Sequence, residues 1–330
     1  MNLQALRLGT AFNLMMRTMP ILLVRLGVSM LFWLAALLYL AITGGVAYLI
    51  GQANETIGVI VFIIALVGIA PLYNLAYRYV FYIIKAAHIA VISELLVNGD
   101  LPAGTTQLAW GKQRVTERFG ETSVMFVIDE MVTGVINVFT RTVYSVASWI
   151  PGDTMRTLVN VLNTIIRFAL SSIDEAILAR RFYGNSENVW ANARDGLVLY
   201  AMIWKPILIN AIALMIISYI PFVLAFILFS APIGFVIGLF SQQAAGYALI
   251  AVLLFAWVIK VAIGDAFAMI AMVSTYHRET LNLQPDAAMA AKLDAASDKF
   301  KEIKQRASDG LNSMLNRKPV EPATDTPPAV

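Results

Sequence analysis

Two stretches of this chain place polar side chains at helical spacing inside otherwise apolar sequence. In the first, Glu130, Thr133, Asn137 and Arg141 recur at intervals of three and four. In the second, Asn160, Asn163, Arg167, Ser171 and Asp174 do the same. Such intervals align side chains on one face of an α-helix. Pro151-Gly152 lies between the stretches as a turn, and Asp153 is suited to cap the helix after it. Antiparallel pairing about that turn sets Arg141 near Asn163, Asn137 near Arg167 and Glu130 near Asp174. Facing stripes of this kind suit a water-lined path for an ion or a small polar solute. A third candidate, Asp265, interrupts a late apolar run together with Lys260. An ionisable residue inside a span is a functional candidate by default, because lipid penalises it. Five residues separate the two, so on a regular α-helix they occupy different faces. Each is therefore expected to find its partner on another helix.

The remaining chemistry is sparse. There are no cysteines, which excludes disulfides, cysteine-ligated zinc, iron–sulfur centres and thiol nucleophiles. His88 and His277 are far apart and suggest no metal site. Neither GxSxG nor HExxH occurs, and Gly104 and Gly111-Lys112 do not make a phosphate-binding loop. The reading is of a protein without enzyme activity, cofactor or metal. A net charge of +3 gives no reason to expect nucleic acid as a partner.

What must hold these residues is a membrane bundle. The 330 residues are 59% hydrophobic and 14% charged, with mean hydropathy +0.73. About a quarter of an ordinary soluble domain is charged, so this chain has too few polar side chains to cover a soluble surface. Residues 26–54 carry no charge, and residues 56–77 form a second uncharged run after a short link. A span needs about 20 apolar residues at about 1.5 Å each to cross roughly 30 Å of hydrocarbon. Residues 206–259 are also uncharged and long enough for two spans, near 206–229 and 245–275, with Pro221 expected to kink the first. The fold class is all-α, a polytopic membrane bundle of four to six transmembrane helices with amphipathic interfacial helices.

The number of spans turns on residues 121–182. If this hairpin crosses the bilayer, its stripes line a bundle interior or pore, and an arginine at mid-depth costs about 2.5–3.5 kcal/mol without partners. If it lies on the membrane, its polar side faces water. Neither helix contains an uncharged run of the about 18 residues that a span calls for. Basic residues mark the cytoplasmic side. Arg7, Arg17 and Arg25 precede the first span, Arg78 and Lys85 follow the second, and Arg278, Lys292, Lys299, Lys301, Lys304 and Arg306 follow the last. Both termini are therefore expected in the cytoplasm, with the chain in an inner or plasma membrane.

Residues 1–24 suggest an interfacial amphipathic helix ahead of a transmembrane domain over 25–285. Residues 78–98 are expected to run along the membrane surface and to stop at Asn98-Gly99-Asp100. Over 286–316, Met289, Leu293, Ala296, Phe300, Ile303, Ala307 and Met314 give a short heptad-like pattern in a cytoplasmic helix. That helix could dock a protein partner. Residues 317–330 are rich in proline and threonine and are expected to be disordered.

The segment Ser186-Glu187-Asn188-Val189-Trp190-Ala191-Asn192-Ala193-Arg194 leads into two spans, of which the last carries Gly264-Asp265 and exits at Tyr276-His277-Arg278-Glu279-Thr280. This order over about residues 120–285 resembles the last third of the choline transporter-like membrane proteins. The resemblance implies a transport-type membrane fold. That family has more spans and a cysteine-bearing extracellular domain, and choline as substrate does not follow. The expected function is a transporter or channel-like pore acting as a homo-oligomer among membrane lipids. The alternative is a membrane scaffold or accessory subunit that docks a partner through its amphipathic segments.

Overall fold

The computed structural model describes residues 8–119, 172–184, 188–240 and 245–315, with positions 127, 128, 131, 132, 135, 164 and 168 between the first two blocks. It is all-α, with no strand among the described residues. In chain order the helices are α1 (Leu8–Arg17), α2 (Met19–Ala53), α3 (Glu55–Ala76), α4 (Tyr82–Val97), α5 (Gln107–Phe119), α6 (Ile173–Tyr183), α7 (Val189–Met202), α8 (Trp204–Ile217), α9 (Ile220–Phe240), α10 (Ala245–Ile259), α11 (Asp265–Thr280), α12 (Ala287–Ala296) and α13 (Asp298–Leu315). A π-helical segment, Tyr77–Phe81, joins α3 to α4, and a second, Lys260–Gly264, joins α10 to α11.

Among the described residues four continuous helical stretches are long and apolar enough to cross a membrane: Met19–Ala53, Glu55–Val97, Trp204–Leu239 and Ala248–Thr280. Their outer halves form two antiparallel hairpins, α2 with α3 and α9 with α10. At about 1.5 Å per residue, the 22 residues of α3 and the 21 of α9 measure about 33 and 32 Å, close to the roughly 30 Å of a hydrocarbon core.

The first hairpin turns on Asn54, whose amide donates to the Ile50 carbonyl (3.0 Å) while its side-chain oxygen accepts from the Ile57 amide (3.1 Å). One residue thus stops α2 and starts α3. Small residues let the two backbones approach. A Cβ added to Gly58 would lie 2.6 Å from Gly51 Cα, and Ala47 and Ala65 are buried beside that seam. Large residues point the other way: Leu34, Tyr48, Ile64 and Val67 are each about two-thirds exposed. In the second hairpin Ala225, Val252 and Ala256 are inside and Ile227, Phe235 and Leu239 outside, with Phe229 edge-on to Phe255 at 4.8 Å.

The inner halves of the same four stretches run into a compact body with ordinary packing. α11 is its central helix, with Ala266, Ile270, Val273 and Tyr276 fully buried. It is surrounded by α1, α4, α6, α7 and α8. α4, read from sequence as a surface helix, is buried on nearly every side: Ala86, Ile89, Val91 and Ile92 are sealed from solvent. A helix apolar all round needs an apolar environment on every face, and here the environment is protein.

The interfacial helix read over 1–24 is α1 only as far as Arg17, and residues 19–24 belong to α2. The break falls at Thr18, since Pro20 has no amide to continue α1. α4 ends at Val97, where Gly99 takes φ +78° to turn the chain. The amphipathic helix expected over 286–316 is α12 followed by α13. Phe300, Ile303 and Ala307 are buried, and α13 packs against α7. Asn188 fixes that contact. Its oxygen caps α7 by accepting from the Trp190 and Ala191 amides (both 3.0 Å), and its nitrogen donates to the Ala307 carbonyl (2.7 Å). Arg306 lies over the Trp190 ring at 4.8 Å. The apolar face available in sequence to a partner is thus used within the chain. The tail, 317–330, lies outside the described residues.

Candidate functional site at the hairpin–body junction

Three of the four long stretches lose regular α-geometry where they enter the body. Two do so at the π segments. The third breaks at Ser218–Tyr219, between α8 and α9. Pro221 was expected to kink a helix over 206–229. Instead it sits in the first turn of α9, and the break falls just before it. Pro221 has no amide for the Ile217 carbonyl, so the preceding turn tightens to the Tyr219-to-Ile216 bond (3.1 Å). α9 itself continues through Pro232 to Phe240. Gly264, at the end of the second π segment, meets this break. A Cβ there would collide with the Ser218 carbonyl oxygen.

The π segment also corrects the reading of Lys260 and Asp265. The Asp265 amide bonds the Lys260 carbonyl, five residues back. The wider turn brings i and i+5 onto one face, and the Lys260 ammonium pairs with the Asp265 carboxylate at 2.7 Å within the same stretch. Lys260 also lies over the Tyr219 ring (4.8 Å) and the Trp257 ring (5.3 Å), where aromatic faces stabilise a cation. Arg25 of α2 donates to the Val261 carbonyl (3.2 Å) and so ties the bases of the two hairpins together.

One layer into the body is a second charged cluster. Lys85 of α4 pairs with Asp174 of α6 at 2.7 Å and stands 3.7 Å from Glu175. All three side chains are 13–15% exposed. Burial raises the Glu175 carboxyl above its ordinary value; Lys85 opposes that rise and Asp174 adds to it. Arg25 and Asp265 also act on Glu175 through space, lowering and raising it respectively. Burial, reinforced by Glu175 and Asp174, keeps the Tyr200 phenol protonated well past its ordinary range. Beside Asp174 is a cavity of about 20 Å³, bordered also by Tyr82, Arg181 and Asn192. One water needs about 10–15 Å³ and two to four polar partners, so this cavity can hold one. His88 secures the neighbouring joint, with Nε2 3.0 Å from the Thr18 hydroxyl. That hydroxyl donates to the Leu14 carbonyl, which leaves Nε2–H as the donor to Thr18.

Of the residues read from sequence as a path, Asp174 and Asp265 are placed at this junction, on different helices, and both act on Glu175. Glu130, Asn137, Arg141, Asn163 and Arg167 lie outside the described residues. The apolar face of their segment is partly seen: Ile128, Met131, Val132 and Val135 are helical and buried in the body's core. Sequence reasoning treated Lys85 and Arg25 as topology markers and passed over Glu175. The available signal was a lysine inside an apolar helix and two adjacent acids opening another.

No family model matches this chain, and neither does any curated protein or solved structure compared with it.

Proposed function

We propose that this chain is a multi-pass membrane transport protein. It works as a homo-oligomer in a plasma membrane, both termini are cytoplasmic, and a small ion or solute passes by the junction. One observation carries the reading. Arg25, Lys85, Asp174, Glu175, Lys260 and Asp265 gather where three apolar stretches lose regular helical geometry. Charged groups are expensive at such a place, and broken helices there expose backbone groups able to bind a passing ion or solute. The positive-inside rule supports the orientation, because the described basic residues lie at the junction or in the body. The two hairpins meet chiefly through α2 and α10. A path across the full thickness is therefore built between copies of the chain.

The test is flux in proteoliposomes, comparing the native chain with Asp265→Asn and Lys85→Met. Altered flux in either variant supports the reading. Folded, correctly inserted protein that conducts nothing under any ion or solute gradient removes it.

The compact body favours a second reading, a membrane-anchored scaffold. It predicts co-purification of a partner that is lost when the exposed face of α5 is altered at Lys112 and Gln113. With the apolar face of α13 packed on α7, truncation at Pro285 acts on the body's own stability before it acts on any partner.

A further inference from the structure

We infer that Lys85, Asp174 and Glu175 form a proton-binding site, in which Glu175 takes up one proton while Lys85 stays paired with Asp174. Its use in coupling transport to a proton gradient rests on the function proposed above.

The geometry makes the assignment. Two carboxylates share one ammonium inside the body, and the shares are unequal: Asp174 is at 2.7 Å and Glu175 at 3.7 Å. The closer contact is a charge-assisted hydrogen bond, whereas the longer one is an ion pair without a shared hydrogen. Glu175 is therefore the carboxylate less well compensated when ionised. Like charges on adjacent buried carboxylates disfavour double ionisation, and one proton relieves it. Charged and titratable groups approach Glu175 from several helices. From α4 come Lys85 and the Tyr82 ring, which Lys85 faces at 5.2 Å. Tyr200 comes from α7, Asp265 from α11 and Arg25 from α2. Asp265 is already paired with Lys260. From α5, Arg114 meets α6 at the Phe182 carbonyl, two turns from Glu175.

A cavity borders the cluster on its Asp174 side. It has room for one water next to the cluster, with Tyr82, Arg181 and Asn192 as polar neighbours. Binding is a plain proton transfer. An O–H bond forms at a Glu175 carboxylate oxygen, one breaks at a hydronium ion delivered through water, and no electron changes hands. The buried cluster loses one negative charge, and Lys85 keeps its pairing with Asp174.

The experiment is infrared titration of the full chain in lipid nanodiscs, following the carbonyl stretch of protonated carboxyls. The expected result is one such carboxyl per chain that still holds its proton above the ordinary carboxylate range and releases it between about pH 5 and about 9. Heavy-carbon glutamate should shift that band, which assigns it in the native chain without any variant. Glu175→Gln should abolish it, and Glu279→Gln should leave it. The proposal is overturned if no carboxyl titrates there, if labelled glutamate leaves the band in place, or if the band survives Glu175→Gln. Flux on the same preparation separates the two claims. A titrating Glu175 without flux keeps the proton site and removes the transport reading. Flux without a titrating carboxyl does the opposite.

Discussion

The outer hairpins and the body are made of the same apolar residues turned in opposite directions. In the hairpins glycine and alanine face inward at Gly51, Gly58 and Ala256, while Leu34, Ile64 and Phe235 face out. In the body Ile89, Leu199, Tyr276 and Phe300 face inward, and the charges of α13 face out. Large exposed apolar patches are rare on water-soluble monomers, and small residues at the seam are the packing mode of helices in lipid. The two regions present opposite surfaces, one apolar and one charged, and the charged clusters lie where one gives way to the other.

The largest effect that would sharpen this contrast is in the body. Phe300→Ala should cost about 3–5 kcal/mol and release α12–α13 to limited proteolysis, whereas Leu49→Ala on a hairpin's outer face should change stability by less than about 0.5 kcal/mol. Equal losses would mean that the hairpin face is packed against protein. Next is Leu38→Arg, high on α2 and well exposed. If lipid surrounds it, membrane insertion in a glycosylation-mapping assay should weaken by about 2.5–3.5 kcal/mol, with no change for Gln113→Arg on the body. Unchanged insertion would break the comparison.

A smaller effect probes the joint. Gly264→Ala presses a methyl onto the Ser218 carbonyl and should cost about 1–3 kcal/mol in thermal unfolding. Gly234→Ala faces open space and should cost little. Lys260→Met strands the partly exposed Asp265 carboxylate and should cost about 1–2 kcal/mol. Adding Asp265→Leu should recover most of that, and strict additivity in the double-mutant cycle would show that the pair is uncoupled.

A further effect appears as a slope in pH. The folded state holds the Glu175 proton more tightly than the unfolded chain, so between the ordinary value of 4.5 and the raised one the native state binds the extra proton. Stability is then greatest at the acid end of that window and declines as pH rises through the folded value. Glu175→Gln should flatten that decline, and an unaltered profile would assign the slope to other groups.

Much of the outer region is legible from the chain because a helix long and apolar enough to cross a membrane leaves a plain mark, an uncharged run. The stretches 26–54 and 206–259 announce themselves in this way. The inner region is harder to read for physical reasons. A helix apolar on every side, such as α4, has the same sequence whether lipid or protein covers it. A π segment is one residue out of step with the 3.6-residue repeat, so Lys260 and Asp265 seem to diverge when they meet. Lys85 and Asp174 are 89 residues apart in the chain, and nothing local to either names the other.

The position of α11 at the centre of the body has a consequence for synthesis. Residues 265–280 follow both hairpins in the chain, and chains are made and fold from the N-terminus onward. α4, α6, α7 and α8 therefore leave the ribosome before the helix they surround exists. The body can therefore close around its central helix only after the second hairpin has been made.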